Sequence, residues 1–203
     1  MTPTVFVVDD DASVQRGLAR LLKSAGHAVE VFSSAANFLA APPRDRPGCI
    51  LVDLRMPGMS GLDLQEALAR TGVNLPMVFI SGDADVPATA RAFKGGALDF
   101  LTKPFDENAL IEAVRNALER DAERRGRQAR RDSVAALFAT LTPREREVCV
   151  LAARGLPNKE IAFRLGTVEK TVKVHRARAM RKLGATSIAE MVRLVDSAHP
   201  PQS

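Results

Sequence analysis

Val5-Phe6-Val7-Val8-Asp9-Asp10-Asp11 sets four consecutive apolar residues directly against three carboxylates. Such a run reads as a strand buried on both faces, with the acidic triplet at its carboxyl end. The pattern returns along the first half of the chain. Cys49-Ile50-Leu51-Val52 ends in Asp53, Met77-Val78-Phe79-Ile80 in Ser81, and Phe100-Leu101 is followed by Lys103-Pro104. Val29-Glu30-Val31-Phe32 supplies a further strand. Between the strands, apolar residues recur at helical spacing: Val14, Leu18, Leu21, Leu22 and Ala25 up to Gly26, then Phe38-Leu39 before Pro42-Pro43. Leu62, Leu64, Ala67 and Leu68 follow Gly61, and two more helices are predicted over 88–95 and 109–118. Near-continuous strands alternating with helices predict a parallel sheet covered on both faces. Ligands of such sheets bind at the carboxyl ends of the strands, where the triplet, Asp53, Ser81 and Lys103 all fall.

The 203 residues suit two small domains, and their charge is unevenly spread. Residues 1–118 hold 11 Lys/Arg against 14 Asp/Glu, whereas residues 119–203 hold 18 against 10. An acidic front and a basic rear point the rear toward nucleic acid or an anionic surface. Cys49 and Cys149 lack metal-ligand spacing and sit in apolar runs, as buried small hydrophobes in a reducing compartment do. There is no basic-then-apolar leader and no apolar run near the ~20 residues of a membrane helix. A soluble cytoplasmic protein with no membrane partner is expected. Trp and Tyr are absent, so stacking on bases is largely unavailable.

Carboxylates, a lysine and a hydroxyl at one sheet edge suit phosphoryl transfer to an aspartate. Mg²⁺ takes hard oxygen ligands and keeps some of its waters, so two carboxylates and a carbonyl suit it. The cation offsets repulsion between phosphoryl oxygens and the accepting carboxylate. Asp53 can then attack in line to give an acyl phosphate. Lys103 adds a point charge for the phosphoryl oxygens, and the Ser81 hydroxyl can donate to one of them. Singly, each residue has a plainer reading: Asp11 as a first-turn helix carboxylate, Asp53 as a loop residue, Ser81 as a cap, Lys103 as a solvated lysine. Their order and their shared position at strand ends favour the joint reading.

The front half resembles the receiver domain of two-component response regulators. Val7-Val8-Asp9-Asp10-Asp11, Asp53-Leu54-Arg55-Met56-Pro57-Gly58-Met59-Ser60-Gly61, Ser81-Gly82 and Lys103-Pro104-Phe105 carry the resemblance. Asp85-Val86-Pro87 with Gly95-Gly96-Ala97-Leu98-Asp99-Phe100 is similar to the FixJ branch of the FixJ/NarL type. The resemblance implies a flavodoxin-like, doubly wound, five-stranded parallel domain. It implies that Asp53 is the phosphoacceptor, that Asp10 binds Mg²⁺ directly and Asp9 mainly through water, and that the backbone carbonyl of Arg55 is the third protein ligand. It also implies a cis Lys103–Pro104 peptide and a switch pair, Ser81 and Phe100. In that pair phosphate draws the hydroxyl inward and the ring follows, although Phe100 also reads as plain core.

Residues 119–132 are almost wholly charged and read as a solvated spacer, helical or flexible, in preference to a DNA-contacting arm. Only helices are predicted beyond Val134. Thr142, Pro143 and Glu145 start one with a capping box, and Gly155 ends it. A second runs from Asn158 to about Gly166, and a third from about Glu169 to Leu183. The third carries Lys170, Lys173, Arg176, Arg178, Arg181 and Lys182. Two short helices joined by a tight turn, the second strongly basic, make a helix-turn-helix. Val168, which cannot cap, precedes the third helix, so either Thr167 caps it or its end frays.

Residues 138–197 resemble a LuxR-type helix-turn-helix domain. The matching strings are Leu141-Thr142-Pro143-Arg144-Glu145, Gly155-Leu156-Pro157-Asn158-Lys159-Glu160-Ile161-Ala162 and Lys170-Thr171-Val172-Lys173-Val174-His175-Arg176. The resemblance implies that Lys173, Val174 and Arg176 reach the major groove of double-stranded DNA, and that Lys170, Thr171, Arg178 and Lys182 lie on phosphates. His175 is expected to be packed or near the DNA backbone, and a fourth helix with Met191, Val192 and Val195 to carry dimer contacts. The expected architecture is α/β: a receiver domain (3–118), a charged, helical linker (119–137) and a small all-α helix-turn-helix domain (138–197).

The two resemblances together imply a phosphorylation-activated transcription regulator. A sensor histidine kinase supplies the phosphoryl group, the face around the fourth helix, fifth strand and fifth helix rearranges, and a homodimer binds DNA. RNA polymerase is a further implied partner and activation the family habit. The chain is not expected to be an enzyme beyond its own phosphorylation and dephosphorylation. A haloacid-type phosphatase would need a second carboxylate where Arg55 stands. A phosphorylation-independent DNA binder and an RNA-binding regulator are the other rivals; the set Asp9, Asp10, Asp53, Ser81 and Lys103 argues against the former.

Overall fold

The apolar runs form β1 (Thr4–Val8), β2 (Ala28–Phe32), β3 (Gly48–Asp53), β4 (Met77–Ser81) and β5 (Asp99–Thr102). The computed structural model describes residues 2–43, 45–82 and 86–198, with the backbone alone for 197 and 198. Asp85 of the FixJ-like string lies outside the described residues. The strands pair in parallel in the order β2-β1-β3-β4-β5. Helices α1 (Ala12–Ser24), α2 (Ala35–Ala40), α3 (Gly61–Thr71), α4 (Val86–Lys94) and α5 (Glu107–Ala139) alternate with them.

Successive side chains of a strand face opposite ways, which divides the core into two layers. Phe6, Val8, Ile50, Val52 and Phe79 pack with Phe38 of α2, Leu64 and Leu68 of α3 and Ala92 of α4. Val5, Val7, Cys49, Leu51, Val78 and Ile80 pack with Leu18 and Leu22 of α1 and with Leu110, Val114 and Ala117 of α5. Every residue of β1, β3 and β4 is buried, as strands covered on both faces require. Gly48 opens β3 where a Cβ would lie 2.0 Å from the carbonyl oxygen of Thr4, so no larger residue fits there.

The chain divides into two compact units, Met1–Arg124 and Arg125–Ser203. The charged segment is helical, as the middle of α5, but its first turns are not a solvated spacer. Asp121 is buried, accepts a hydrogen bond from the Gly48 N–H at 3.0 Å and pairs with Arg124 at 2.6 Å. Pairs three or four residues apart, such as Asp121 with Arg124 and Gln128 with Asp132, support a helix that composition alone leaves open.

The second unit contains Val134 and Phe138 of α5 with α6 (Pro143–Ala153), α7 (Asn158–Arg164), α8 (Glu169–Leu183) and α9 (Ile188–Ala198) around one core. The Thr142–Glu145 capping box forms with Pro143 in the first turn. No side chain caps α7 or α8. Cys49 and Cys149 are buried free thiols whose pKa values burial pushes up to about 12 and about 11, which leaves them unreactive. Among the described residues no helix is long and apolar enough to cross a membrane.

Candidate functional site

Register brings the ends of β1, β3, β4 and β5 to one edge of the sheet. Val8 pairs with Val52, Asp53 with Ile80, and Ser81 with Thr102. Asp9, Asp53, Ser81 and Lys103 therefore emerge together. The Lys103 ammonium lies 2.8 Å from Asp53 Oδ1 and 3.1 Å from Asp9 Oδ2. Asp53 Oδ2 accepts from the Arg55 N–H at 2.7 Å, and Asp9 Oδ1 from the Asp11 N–H at 2.8 Å. The peptide between Lys103 and Pro104 is cis, and the Lys103 N–H donates to the Ser81 carbonyl at 2.7 Å, which seats the lysine over the edge.

The electrostatics are those of a site short of positive charge. Asp9 is 1% exposed and Asp53 7%, with a single ammonium between them. Burial raises the Asp9 pKa above the usual carboxylate value, against the lowering influence of the Asp11 N–H and Lys103. Burial alone would lower the Lys103 pKa, yet its bonds to Asp53 and Asp9 hold it above the usual lysine value. Two enclosed carboxylates with hard oxygens and one shared ammonium fit a divalent cation of the Mg²⁺ kind, which takes one or two carboxylates and keeps waters. Among the described residues no three His, Cys, Asp or Glu side chains converge as a ligand cluster. The site is thus a two-carboxylate pair, and Asp10 stands exposed beside it.

Asp11 is the N-cap of α1, one position before the first turn expected for it. Its carboxylate caps α1 by accepting from the N–H groups of Ser13 and Val14, and these bonds lower its pKa. Phe100 is half-buried and stacks on Phe79 with ring centroids 6.3 Å apart. Sequence reasoning missed Gln15, whose side-chain amide donates to the carbonyls of Asp9 and Phe32 and fixes the backbone at the site. A glutamine one turn into a helix carries no sign of this until the strands are in place.

In the second unit Lys170, Lys173, Val174 and Arg178 are exposed on α8, while Val172, Ala179 and Leu183 face the core. Lys170, Lys173 and Arg178 make no ion pair among the described residues. Thr171 is half-buried. Arg176 is half-buried too and donates to Asn158 Oδ1 at 3.0 Å, tying α8 to α7. Lys182 is engaged within the fold: its ammonium is bound to Glu145 at 2.6 Å and to the Thr140 carbonyl at 3.0 Å. The reason is tertiary: Glu145 is buried at the start of α6 and needs a cation.

Residues 5–115 match the family model for the response regulator receiver domain, and residues 139–195 that for bacterial regulatory proteins of the luxR family. The chain is 46% identical to Nodulation protein W of Bradyrhizobium diazoefficiens over 95% of this chain and 85% of the relative. It is 47% identical to Transcriptional regulatory protein FixJ of Azorhizobium caulinodans over 94% of this chain and 90% of the relative. A solved structure of response regulator StyR superposes with a TM-score of 0.88 at 49% identity, covering 97% of this chain and 99% of that one.

Proposed function

Because the chain belongs to the response-regulator family, joining a receiver domain to a LuxR-type DNA-binding domain, we propose that Asp53 accepts a phosphoryl group from a sensor histidine kinase and that the modified protein dimerises and binds double-stranded DNA. Response regulators of this architecture regulate transcription in response to phosphorylation. The observation that carries the reading here is the Lys103 ammonium held between Asp53 and Asp9 at the sheet edge.

An Asp53 oxygen forms a bond to phosphorus as the bond to the donor's histidine nitrogen breaks. Lys103 exchanges its contact with Asp53 for a phosphoryl oxygen, and Ser81 donates its hydroxyl to another. Phe100 follows Ser81 and leaves its stack on Phe79. Mg²⁺ held by Asp9, Asp10, Asp53 and the Arg55 carbonyl would supply the charge that offsets repulsion between phosphoryl group and carboxylate. The receiver spans 3–118, the linker 119–137 and the DNA-binding domain 138–197. Lys173, Val174 and Arg176 read the major groove, while Lys170, Thr171, Arg178 and Lys182 hold phosphates. RNA polymerase is the further partner and activation the outcome, in the cytoplasm, with no turnover beyond the receiver's own phosphorylation and dephosphorylation.

Incubation with acetyl phosphate and Mg²⁺ tests this. A hydroxylamine-labile adduct is expected on the wild type and none on Asp53→Asn, with tighter binding of promoter DNA by the modified form. Rapid release of inorganic phosphate without an adduct would favour a phosphatase. An adduct without any change in DNA affinity would separate the two halves of the proposal.

A further inference from the structure

A cavity of about 460 Å³ lies in the first unit, at the end of the sheet away from Asp53 and Ser81. Leu68 of α3, Val73, Leu75, Met77 at the start of β4 and Leu98 just before β5 form its apolar wall. Gln65, Asn74 and Arg120 supply polar side chains, and no acidic one lines the space among the described residues. A mostly apolar concavity of roughly 300–1,000 Å³ with a few placed polar groups is the kind that holds a small molecule.

Gln65 is 7% exposed and fixed from two sides. Its amide nitrogen donates to the Ala92 carbonyl at 3.0 Å. A Cβ on Gly95 would collide with its oxygen, so the carboxamide fills the place a side chain there would take. No donor among the described residues reaches that oxygen. The wholly enclosed atoms without partners are Arg124 Nε and His175 Nδ1, so the Gln65 oxygen retains access to the space that Gln65 lines. Buried polar groups have partners, and a fixed acceptor without one asks for an O–H or N–H.

Arg120 brings the charge. Its neighbour Asp121 docks this turn of α5 on the Gly48 N–H, which holds Arg120 at the same end of the sheet. The guanidinium is 62% exposed and its pair with Glu123, at 3.9 Å, is a surface contact that another carboxylate displaces at small cost. Its planar fork of donors suits a carboxylate.

We propose that this cavity binds a small amphipathic carboxylate with a hydrogen-bond donor at its far end. The carboxylate lies on Arg120, the donor on Gln65 Oε1, and the apolar body against Leu68, Leu75, Met77 and Leu98.

The test follows amide shifts of the full, nitrogen-15-labelled chain with 8-hydroxyoctanoate as the probe, whose flexible chain lets each end find its partner. Saturable shifts over 73–75 and 95–98 are expected, with a Kd of about 1 mM. Octanoate, which lacks the donor, binds about five-fold more weakly, and 1,8-octanediol, which lacks the charge, about ten-fold, the scale of one neutral and one charge-assisted hydrogen bond. Arg120→Gln abolishes the preference over the diol and keeps that over octanoate, whereas Gln65→Met does the reverse. Should Gln65→Met fail to fold, the preference of the wild type for the hydroxyl reads the same contact. Shifts that do not saturate, that centre on other segments or that are equal for the three probes would overturn the site. So would an Arg120→Gln variant that still prefers 8-hydroxyoctanoate to the diol. Either result leaves the reading of Asp53 and α8 standing.

Discussion

Lys182 on α8 meets Glu145 on α6 at 2.6 Å, with the carboxylate almost wholly enclosed. The same carboxylate accepts from the Thr142 N–H at 2.9 Å, so one acidic group closes a capping box and pins two helices. The Lys182 bond, ahead of the Thr142 N–H, pulls its pKa to about 2 from an ordinary 4.5. A depressed carboxyl gives stability that is complete above the unfolded value and is lost as pH falls through the folded one. The second unit therefore loses stability between about pH 4.5 and pH 2. Thermal midpoints at pH 3 and pH 6 measure this. Lys182→Met lowers the midpoint at pH 6, and Glu145→Gln narrows the gap between the two; an unaltered gap would assign the acid sensitivity elsewhere.

Asp9 behaves in the opposite sense. Its raised pKa means stability that is present below the ordinary value of 3.8 and lost as pH rises through the folded value, so at neutral pH its ionised form is a burden that Lys103 carries. A divalent cation lightens that burden. Urea unfolding at pH 7 is expected to show the wild type gaining about 1.4 kcal/mol when Mg²⁺ is ten-fold above its Kd, relative to EDTA. Asp9→Asn is more stable than the wild type in EDTA and gains less from the cation. Equal gains in both proteins would place the cation elsewhere.

Asp121 stands where the charge pattern reads as spacer, yet it accepts from the buried Gly48 N–H. Asp121→Ala leaves that donor without its acceptor and is expected to destabilise the first unit by roughly 1–3 kcal/mol, read from the urea midpoint. Asp121→Asn keeps a carbonyl oxygen and loses less. A neutral Asp121→Ala would return these turns to the solvated spacer.

The backbone at Val168, φ −107° and ψ 153°, already has the extended geometry of a capping residue. Val168→Ser is accordingly expected to stabilise the second unit by ~1 kcal/mol by giving the first amides of α8 an acceptor. Slower amide exchange at Lys170 and Thr171, the second and third residues of α8, would accompany the higher thermal midpoint. No change in exchange would mean that those amides are already satisfied.

The strands and the gathering of the residues that end them were legible because continuous apolar runs and the residues that close them are local features. Asp9, Asp53, Ser81 and Lys103 each close such a run, so a parallel sheet had to gather them. Asp10 shares the motif but stays exposed while Asp9 and Asp53 enclose Lys103, a distinction that depends on how the chain leaves β1. Lys182 shows the other limit. A lysine on a basic helix looks like its neighbours until folding brings a buried glutamate from 37 positions earlier beside it. Arg176 with Asn158, Asp121 with Gly48 and Gln15 with Asp9 are pairs of the same kind. In each, the partner lies in another element and no local pattern announces it.

Asp53 ends β3, a strand with neighbours on both sides and no exposed residue, whereas β5, which bears Phe100, borders the sheet. Amides of β3 are accordingly among the last to take up deuterium and those of β5 among the earlier ones. A group added to Asp53 is thus mounted on the least yielding part of the fold. On the function proposed, the displacement it causes would be taken up at the margin, where rearrangement breaks the fewest bonds, so that the mark would be written where the molecule is stiff and read where it is compliant.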